Sequence, residues 1–461
     1  MATAKPVTDS FYASYCAALA DLDLQGPQSI VVALGGGADS QTVLDLTLRY
    51  RQEHPEHDYL AIHLDHYFHP DSPEWAEFLR QYCAQANIAH IVEPLQVDVL
   101  GRQSKEAQGR EARYQRLAEL TSSNAVILLG HHLSDQSETF FLQLKRGAGP
   151  KGLSSMAKVS PFSAQRRLCR PLLGHSKAEI YAYAKARQLR WIEDDTNTDT
   201  SIDRNFLRHD IMPVLNARWP QFEHTLARSA RLCAEQQRLL DELLSVELEQ
   251  RMTANSLLVE GFEGYSSAHQ AALIRLFLRH LNVRLPSEAQ LLEVLKQMSS
   301  SSVAVRWGTQ QLRSYAGRLY LLPVFADVAA FTTEVSWHAG MSPVEMNLPD
   351  NIGTFHLAVV DTRSEHVVPV VEGAVLKLKL AQPGDKYKRR IGGQWHSVAH
   401  LLKKQGVAPW QRRRWPTLWV NGELAWVAQL GVCQGYAERV RGATAGITPQ
   451  WVPEAQTPLT K

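Results

Sequence analysis

A chain of 461 residues with a formal net charge of +2 at pH 7 is too long for one hydrophobic core and too near neutral to hold a polyanion with its whole surface. About three domains are expected, and any nucleic-acid partner must be met by a local patch. At 44% hydrophobic and 21% charged residues the composition is that of an ordinary globular protein. Cys16, Cys83, Cys169, Cys233 and Cys433 are odd in number and far apart. That spacing excludes a disulfide framework and a Cys-x-x-Cys metal or redox site, so reduced thiols and a cytoplasmic setting are expected. Residues 1–22 lack the basic and apolar regions of a secretory signal, and no apolar run is long enough to span a membrane.

The first strand is predicted over residues 30–34, Ile-Val-Val-Ala-Leu, and runs directly into Gly35-Gly36-Gly37-Ala38-Asp39-Ser40. Glycines bring backbone N–H groups close to an anion, and the helix expected over 40–49 points its positive end at the same place. No Gly-Lys-Ser/Thr follows, and no glycine stands at dinucleotide-fingerprint spacing, so neither of those phosphate motifs applies. Asp39 beside a phosphate loop makes sense if Mg²⁺ bridges it to the phosphates. The next strand, 59–64, ends in His63-Leu64-Asp65-His66. This reads either as a zinc or iron site or, preferably, as a strand-end turn lining the same crevice. A helix over 75–85 and a strand over 89–92 follow. The helix over 109–120 carries Arg110 and Arg113 three apart on one face, suited to phosphate or simply a solvated charged face. Strand 125–129 leads into His131-His132-Leu133-Ser134-Asp135-Gln136-Ser137-Glu138. Asp135 stands where a helix cap would, and Asp135 and Glu138 share one helix face, where they can address a metal and a cationic substrate together. The alternation predicts an α/β fold with a doubly wound parallel sheet, its ligand crevice at the carboxyl ends of the strands.

Three parts are expected: an α/β domain over 1–218, a helical domain over 219–335 and an α+β domain over 336–461. The middle part opens on a long helix over 222–251, continues with helices over 271–281 and 288–297, and closes on strands at 303–307 and 319–322. In the last part the β-like and short helical runs are 375–380, 400–404, 417–420 and 424–427, and the tail after Thr448 is expected to be mobile. Lys386, Lys388, Arg389 and Arg390, then Lys403 and Lys404, then Arg412, Arg413 and Arg414 are interleaved with Trp395, Trp410, Trp415 and Trp419. Basic groups for phosphate and aromatic rings for stacking fit RNA binding; the alternative is a tryptophan core with a solvated basic rim.

Taken together, the clusters resemble the tRNA(Ile)-lysidine synthases, a branch of the ATP-pyrophosphatase (PP-loop) family with its Ser-Gly-Gly-x-Asp-Ser loop. Further matches are Leu144-Lys145-Arg146-Gly147-Ala148-Gly149, Arg170-Pro171-Leu172-Leu173, Trp191-Ile192-Glu193-Asp194-Asp195 and Asp203-Arg204-Asn205-Phe206-Leu207-Arg208. The resemblance continues through Pro383-Gly384-Asp385 and from Lys403-Lys404 to Pro409-Trp410. It implies ATP and Mg²⁺ as cofactors, and L-lysine and the isoleucine tRNA with a CAU anticodon as partners. The 2-oxygen of the wobble cytidine would attack the α-phosphate of ATP, and the lysine ε-amine would then displace AMP.

By motif matching, the loop Leu34, Gly35, Gly36, Gly37, Ala38, Asp39 and Ser40 would hold ATP, with His63 and His66 bordering the adenosine. Asp39 and Asp135 would carry the metal, Glu138 the lysine ammonium and Arg113 the α-phosphate. Lys145, Arg146, Arg204, Arg208, Lys388, Arg389, Lys403, Lys404 and Arg412 would contact tRNA. Three departures stand out: Gly35 replaces the loop serine, Ser134-Asp135 replaces a frequent Asp-Asp, and Gly109 stands where alanine is usual. A tRNA 2-thiolation enzyme would want paired cysteines, and an amidotransferase-linked synthetase a glutaminase cysteine; the chain has neither arrangement. A degenerate tRNA-binding protein that has lost catalysis is the non-enzymatic alternative, opposed by the joint presence of Asp39, Ser40, Asp135 and Glu138. Dimerisation through the N-terminal domain is compatible with the sequence.

Overall fold

The computed structural model describes residues 4–65, 69–95, 105–193, 200–300, 302–360, 366–440, 443 and 445–454. The chain divides into two compact units, Met1–Glu242 and Leu243–Lys461.

The first unit opens on helix α1 (Ala4–Ala20). It continues with β1 (Ser29–Leu34), α2 (Ala38–Glu53), β2 (Asp58–Asp65), α3 (Ser72–Gln85), β3 (Ala89–Pro94) and α4 (Lys105–Leu120). Then come β4 (Val126–Leu128), α5 (Leu133–Lys145), α6 (Pro150–Leu153), β5 (Val159–Pro161), β6 (Arg167–Cys169) and α7 (Lys177–Ala186). After the short α8 (Asp203–Phe206), a π-helical turn (Leu207–Ile211) and α9 (Met212–Arg218), the chain enters the 30-residue α10 (Phe222–Arg251). The strands form one six-stranded sheet in the order β3-β2-β1-β4-β6-β5, parallel except for the β5–β6 pair.

Strict alternation along β1 drives this sheet. Ile30, Val32 and Leu34 face a core built with α1, α2, α3 and α7, while Val31 faces a second core with Ile62, Ile127 and Leu117. Each such fully buried aliphatic side chain contributes on the order of 1.5–3 kcal/mol, so a strand buried on both faces is held from both. A buried polar tie adds to the helix layer. Asp45 of α2 accepts hydrogen bonds from the Tyr183 hydroxyl (2.7 Å) and from Arg187 Nε (2.9 Å), both from the α7 segment. The strand order reverses between β1 and β4, and the carboxyl ends of these two strands open the crevice such sheets use for ligands.

In the second unit, β7 (Met252–Thr253), β8 (Ser256–Leu258), β9 (Ala304–Trp307), β10 (Gln310–Tyr315) and β11 (Arg318–Pro323) make an antiparallel sheet in the order β7-β8-β11-β10-β9. Helices α11 (Ser267–His280) and α12 (Glu288–Met298) share its core through Phe277, Leu291, Val294 and Leu312. This middle region therefore holds more strand than its sequence suggested, because β7, β8 and β10 are short or carry polar residues that mask their period. Beyond it the chain forms a five-stranded and a four-stranded antiparallel sheet around one core that includes Trp415, Tyr387 and Phe355. Of the tail expected to be mobile after Thr448, residues 455–461 lie outside the described residues, and the part to Val452 belongs to a strand, Ala445–Val452, paired with Thr354–Val360. Its backbone hydrogen bonds hold Thr448 to Val452 in place. Among the described residues no helix is long and apolar enough to cross a membrane.

Candidate active site

The turn between β1 and α2 is built from its hydrogen bonds outward. Gly35 donates its N–H to Ser40 Oγ (3.2 Å), and the Ser40 hydroxyl donates to the Gly37 carbonyl (3.0 Å). The serine thus staples the turn closed from inside. Gly36 has a left-handed backbone (φ +87°), and a Cβ there would lie 2.6 Å from Ile192 Cδ1, while the Ile192 N–H binds the Gly36 carbonyl (2.9 Å). Glycine is needed there on both counts. Gly37 precedes α2 without any side-chain cap, which leaves the first-turn N–H groups of the helix for an anion.

The second wall comes from the end of β4. Gly130 lies so close to α2 that a Cβ on it would meet the Ser40 nitrogen at 3.0 Å and the Asp39 carbonyl carbon at 3.1 Å. His132 caps α5 in a reciprocal box: its Nδ1 accepts from the Ser134 N–H (3.2 Å), and its own N–H donates to Asp135 Oδ2 (3.0 Å). With Nδ1 an acceptor, the proton of the neutral ring sits on Nε2. That nitrogen lies between two carboxylates, 3.7 Å from Asp39 Oδ2 and 3.6 Å from Asp135 Oδ2.

The electrostatics of the pair differ. Burial raises Asp39 above the ordinary carboxylate range, with a further push from Asp135 and partial relief from His132, Lys177 and Arg208. Burial also pushes Asp135 upward, but His132, His131, Arg204 and the His132 N–H outweigh it and hold it below that range. Asp39 Oδ1 is buried and has no hydrogen-bond partner. An orphaned carboxylate oxygen beside a second carboxylate is a donor set that suits Mg²⁺. His131 is kept neutral, its pKa pushed down to about 4 by burial and by Arg170, Arg204 and Arg110.

Glu138, one turn further along α5, is 1% exposed. Arg204 Nε donates to its Oε2 (2.6 Å), Arg208 Nε to its Oε1 (2.8 Å) and an Arg208 terminal nitrogen to its Oε2 (3.1 Å). The same two guanidinium groups stand 3.8 and 3.6 Å from Asp135 Oδ1. Arg204 and Arg208, expected at the tRNA surface, are therefore placed at the crevice carboxylates.

His63, at the end of β2, donates Nδ1–H to the Leu34 carbonyl (3.0 Å) and is held neutral mainly by burial, with Arg113 among the charges acting on it. That fixes its tautomer and sets Nε2 as an acceptor. Arg113 is solvent-accessible but stands on the face of α4 that carries the buried Gly109 and Leu117, where burial lowers its pKa, and His66 lies outside the described residues. Lys145 is exposed and paired with Asp203 (2.7 Å), and Arg146 is exposed beside it. In the second unit Lys388 binds Glu438 (2.6 Å), Arg412 binds the Val407 carbonyl (2.8 Å), and Arg389, Lys403 and Lys404 are exposed.

Gly130 and Ile192 stand within sequence motifs that gave them no role of their own, and Lys177 stands in none. Lys177 opens α7 behind a Ser176–Glu179 capping box, a pattern readable in the sequence, and its charge acts on Asp39. Among the described residues, His54, Glu56 and His57 also bring ligand atoms within 4.8 Å of one another. His57 Nδ1 accepts from the Gln28 N–H (3.2 Å), so its Nε2 carries the proton and is closed to a metal.

A parallel sheet with an uncapped helix start behind a Gly-rich turn, faced by two carboxylates, defines a nucleotide-binding site of the PP-loop class, and residues 9–215 match the PP-loop domain family. Residues 257–320 match the TilS substrate binding domain and residues 376–448 the TilS substrate C-terminal domain. The chain is 44% identical over 430 residues to a tRNA(Ile)-lysidine synthase of Idiomarina loihiensis, which spans 92% of each chain. Counterparts in Serratia proteamaculans and Vibrio vulnificus are each 37% identical, over 87% of this chain and 91% and 92% of theirs. The chain belongs to the tRNA(Ile)-lysidine synthase family. It is an enzyme of the ATP-using PP-loop class.

Proposed function

We propose that this chain joins lysine to C2 of the wobble cytidine of the isoleucine tRNA with a CAU anticodon, converting ATP to AMP and pyrophosphate. The observation that carries this reading is the row Asp39, Asp135 and Glu138, set against the uncapped start of α2. The turn from Gly35 to Ser40 and the free N–H groups of α2 would grip the pyrophosphate end of ATP, with His63 at the nucleoside side. Asp39 and Asp135 would hold Mg²⁺, which supplies charge neutralisation at the phosphates when bound. The cytidine 2-oxygen attacks the α-phosphorus and pyrophosphate leaves; Arg113 would face the adenylate that forms. The lysine ε-amine, as a neutral nucleophile, then attacks C2 and AMP leaves with the oxygen.

Glu138 would hold the ammonium of lysine, which requires Arg204 and Arg208 to release it. The carboxylate of the incoming amino acid is a fitting replacement partner for them, so the site would exchange one set of ion pairs for another. The middle and C-terminal regions would hold the tRNA body. The five free cysteines fit a reducing cytoplasm.

The test is transfer of labelled lysine to unmodified isoleucine tRNA bearing CAU, with ATP, Mg²⁺ and purified chain. Transfer that disappears in Asp39→Asn, and with a tRNA of another anticodon, is the expected result. Pyrophosphate release without lysine transfer would reject lysine as the nucleophile.

A further inference from the structure

Four tryptophans interleave with the basic residues of the C-terminal region, and the structure separates them. Trp415 is 1% exposed and in the core; Trp410 is 8% exposed against Tyr315 and Tyr320; Trp419 is half-buried under Lys379. Trp395 is 45% exposed. It stands on a two-stranded ribbon, Lys386–Lys388 with Trp395–Ser397, whose tip carries Arg389, Arg390 and the 77%-exposed Ile391.

An exposed tryptophan on a loose loop would mean little, but this one is seated. Its indole lies against Gly435, where an added Cβ would meet the six-membered ring at 2.2 Å. Arg439 stacks on the ring 5.7 Å from its centroid and is itself held by Glu423 (2.6 Å). Glu438 ties the ribbon down by accepting from Lys388 (2.6 Å) and from the Gly392 N–H (2.9 Å). The support side of the ring is thus fixed before any ligand arrives. Arg389 and Arg390, on the exposed tip, form no ion pair among the described residues.

A rigid, half-exposed aromatic ring bordered by unpaired guanidinium groups is what a stacked base with its phosphates requires. We propose that Trp395 is a stacking platform for an unpaired nucleobase of the substrate RNA, supplied by its single-stranded 3′ end. In a folded tRNA the loop bases at the elbow are engaged with one another, and the anticodon is required at the nucleotide site. Among the bases that such an RNA leaves unpaired, those of the 3′ terminus form its one single-stranded end. The assignment rests on the tRNA-binding function proposed above.

The experiment measures binding of full-length isoleucine tRNA, and of the same tRNA trimmed of its unpaired 3′ nucleotides, to the wild-type chain and to Trp395→Ala, Trp395→Phe and Gly435→Ala. Trp395→Ala is expected to weaken full-length binding by about tenfold, the worth of one base–aromatic stack, with Trp395→Phe intermediate. Gly435→Ala should reproduce the loss by displacing the ring, since Gly435 has ordinary helical backbone. On trimmed tRNA the wild type and Trp395→Ala should be equal. Equal affinity of Trp395→Ala and wild type for full-length tRNA overturns the proposal, as does a loss of the same size on trimmed tRNA. A wild-type chain that binds neither RNA overturns the functional reading itself, and this outcome is separate from the other two.

Discussion

Gly35 has open space where its side chain would stand and a backbone that any residue adopts, so the missing serine of the loop can be put back without strain. Gly35→Ser is expected to lower the KM for ATP by about fivefold, the worth of one added hydrogen bond near 1 kcal/mol, with kcat little changed. Steady-state kinetics with ATP varied checks this; an unchanged KM would mean that the backbone alone grips the phosphates. Glu138 makes the opposite case, because its carboxylate is already the partner of two arginines. Glu138→Gln is expected to raise the KM for lysine more than tenfold while that for ATP stays within about twofold. It should also cost about 3 kcal/mol of stability, because Arg204 and Arg208 lose their buried counter-charge. Lysine-dependent kinetics and urea unfolding test the two halves separately.

Between elements, the closest approach in the site is that of Gly130 to the first turn of α2. Gly130→Ala must push the end of β4 away from Asp39 and Ser40 by a few tenths of an ångström. A fall in kcat/KM of about tenfold or more is expected, with a change in stability within about 1 kcal/mol. Equal activity would show that the two walls of the site move independently. Tyr183→Phe, which removes one donor from the Asp45 tie between α2 and α7, should cost about 1 kcal/mol in unfolding and leave the kinetics alone. The elements on which these predictions rest were largely legible in the sequence. The apolar runs ending at Leu34 and Leu129 and the long pattern from Phe222 to Arg251 matched real elements, because burial on both sheet faces or along one helix face leaves a strong period. The Gly-rich turn and the Asp135–Glu138 spacing marked the candidate site for the same local reason. What escaped was what only tertiary contact decides. Arg204 and Arg208 look like surface cations until α8 and the π-helical turn after it bring them to Glu138, and Gly130 and Ile192 have no local signature for their approach to the loop. Strands β7 and β8 are too short to show a period, and the sequence alone could not separate Trp395 from Trp415.

For the molecule as a whole, acid sensitivity follows from its buried imidazoles. His57, His63, His131 and His175 are all held below the ordinary histidine value of 6.5, in each case chiefly by burial. Unfolding returns them to that value, so between about 6.5 and the folded values the unfolded chain binds more protons and stability rises with pH. Their contribution is complete above about pH 6.5 and is lost as the pH falls, down to about 4 for His131. The urea midpoint of the first unit should drop between pH 7.5 and 5, and His131→Asn should flatten part of that slope; a flat profile in the wild type would contradict the assignment.

A different consequence follows from Trp410, which lodges between Tyr315 and Tyr320 of the middle sheet with Leu322 and Ala408 beneath it. This indole is a rivet joining the two regions of the second unit that match separate substrate-binding families. Parts riveted together cannot adjust their spacing to whatever RNA arrives. On the tRNA-binding function proposed above, they would act as a gauge, favouring a molecule by its dimensions before any base is read.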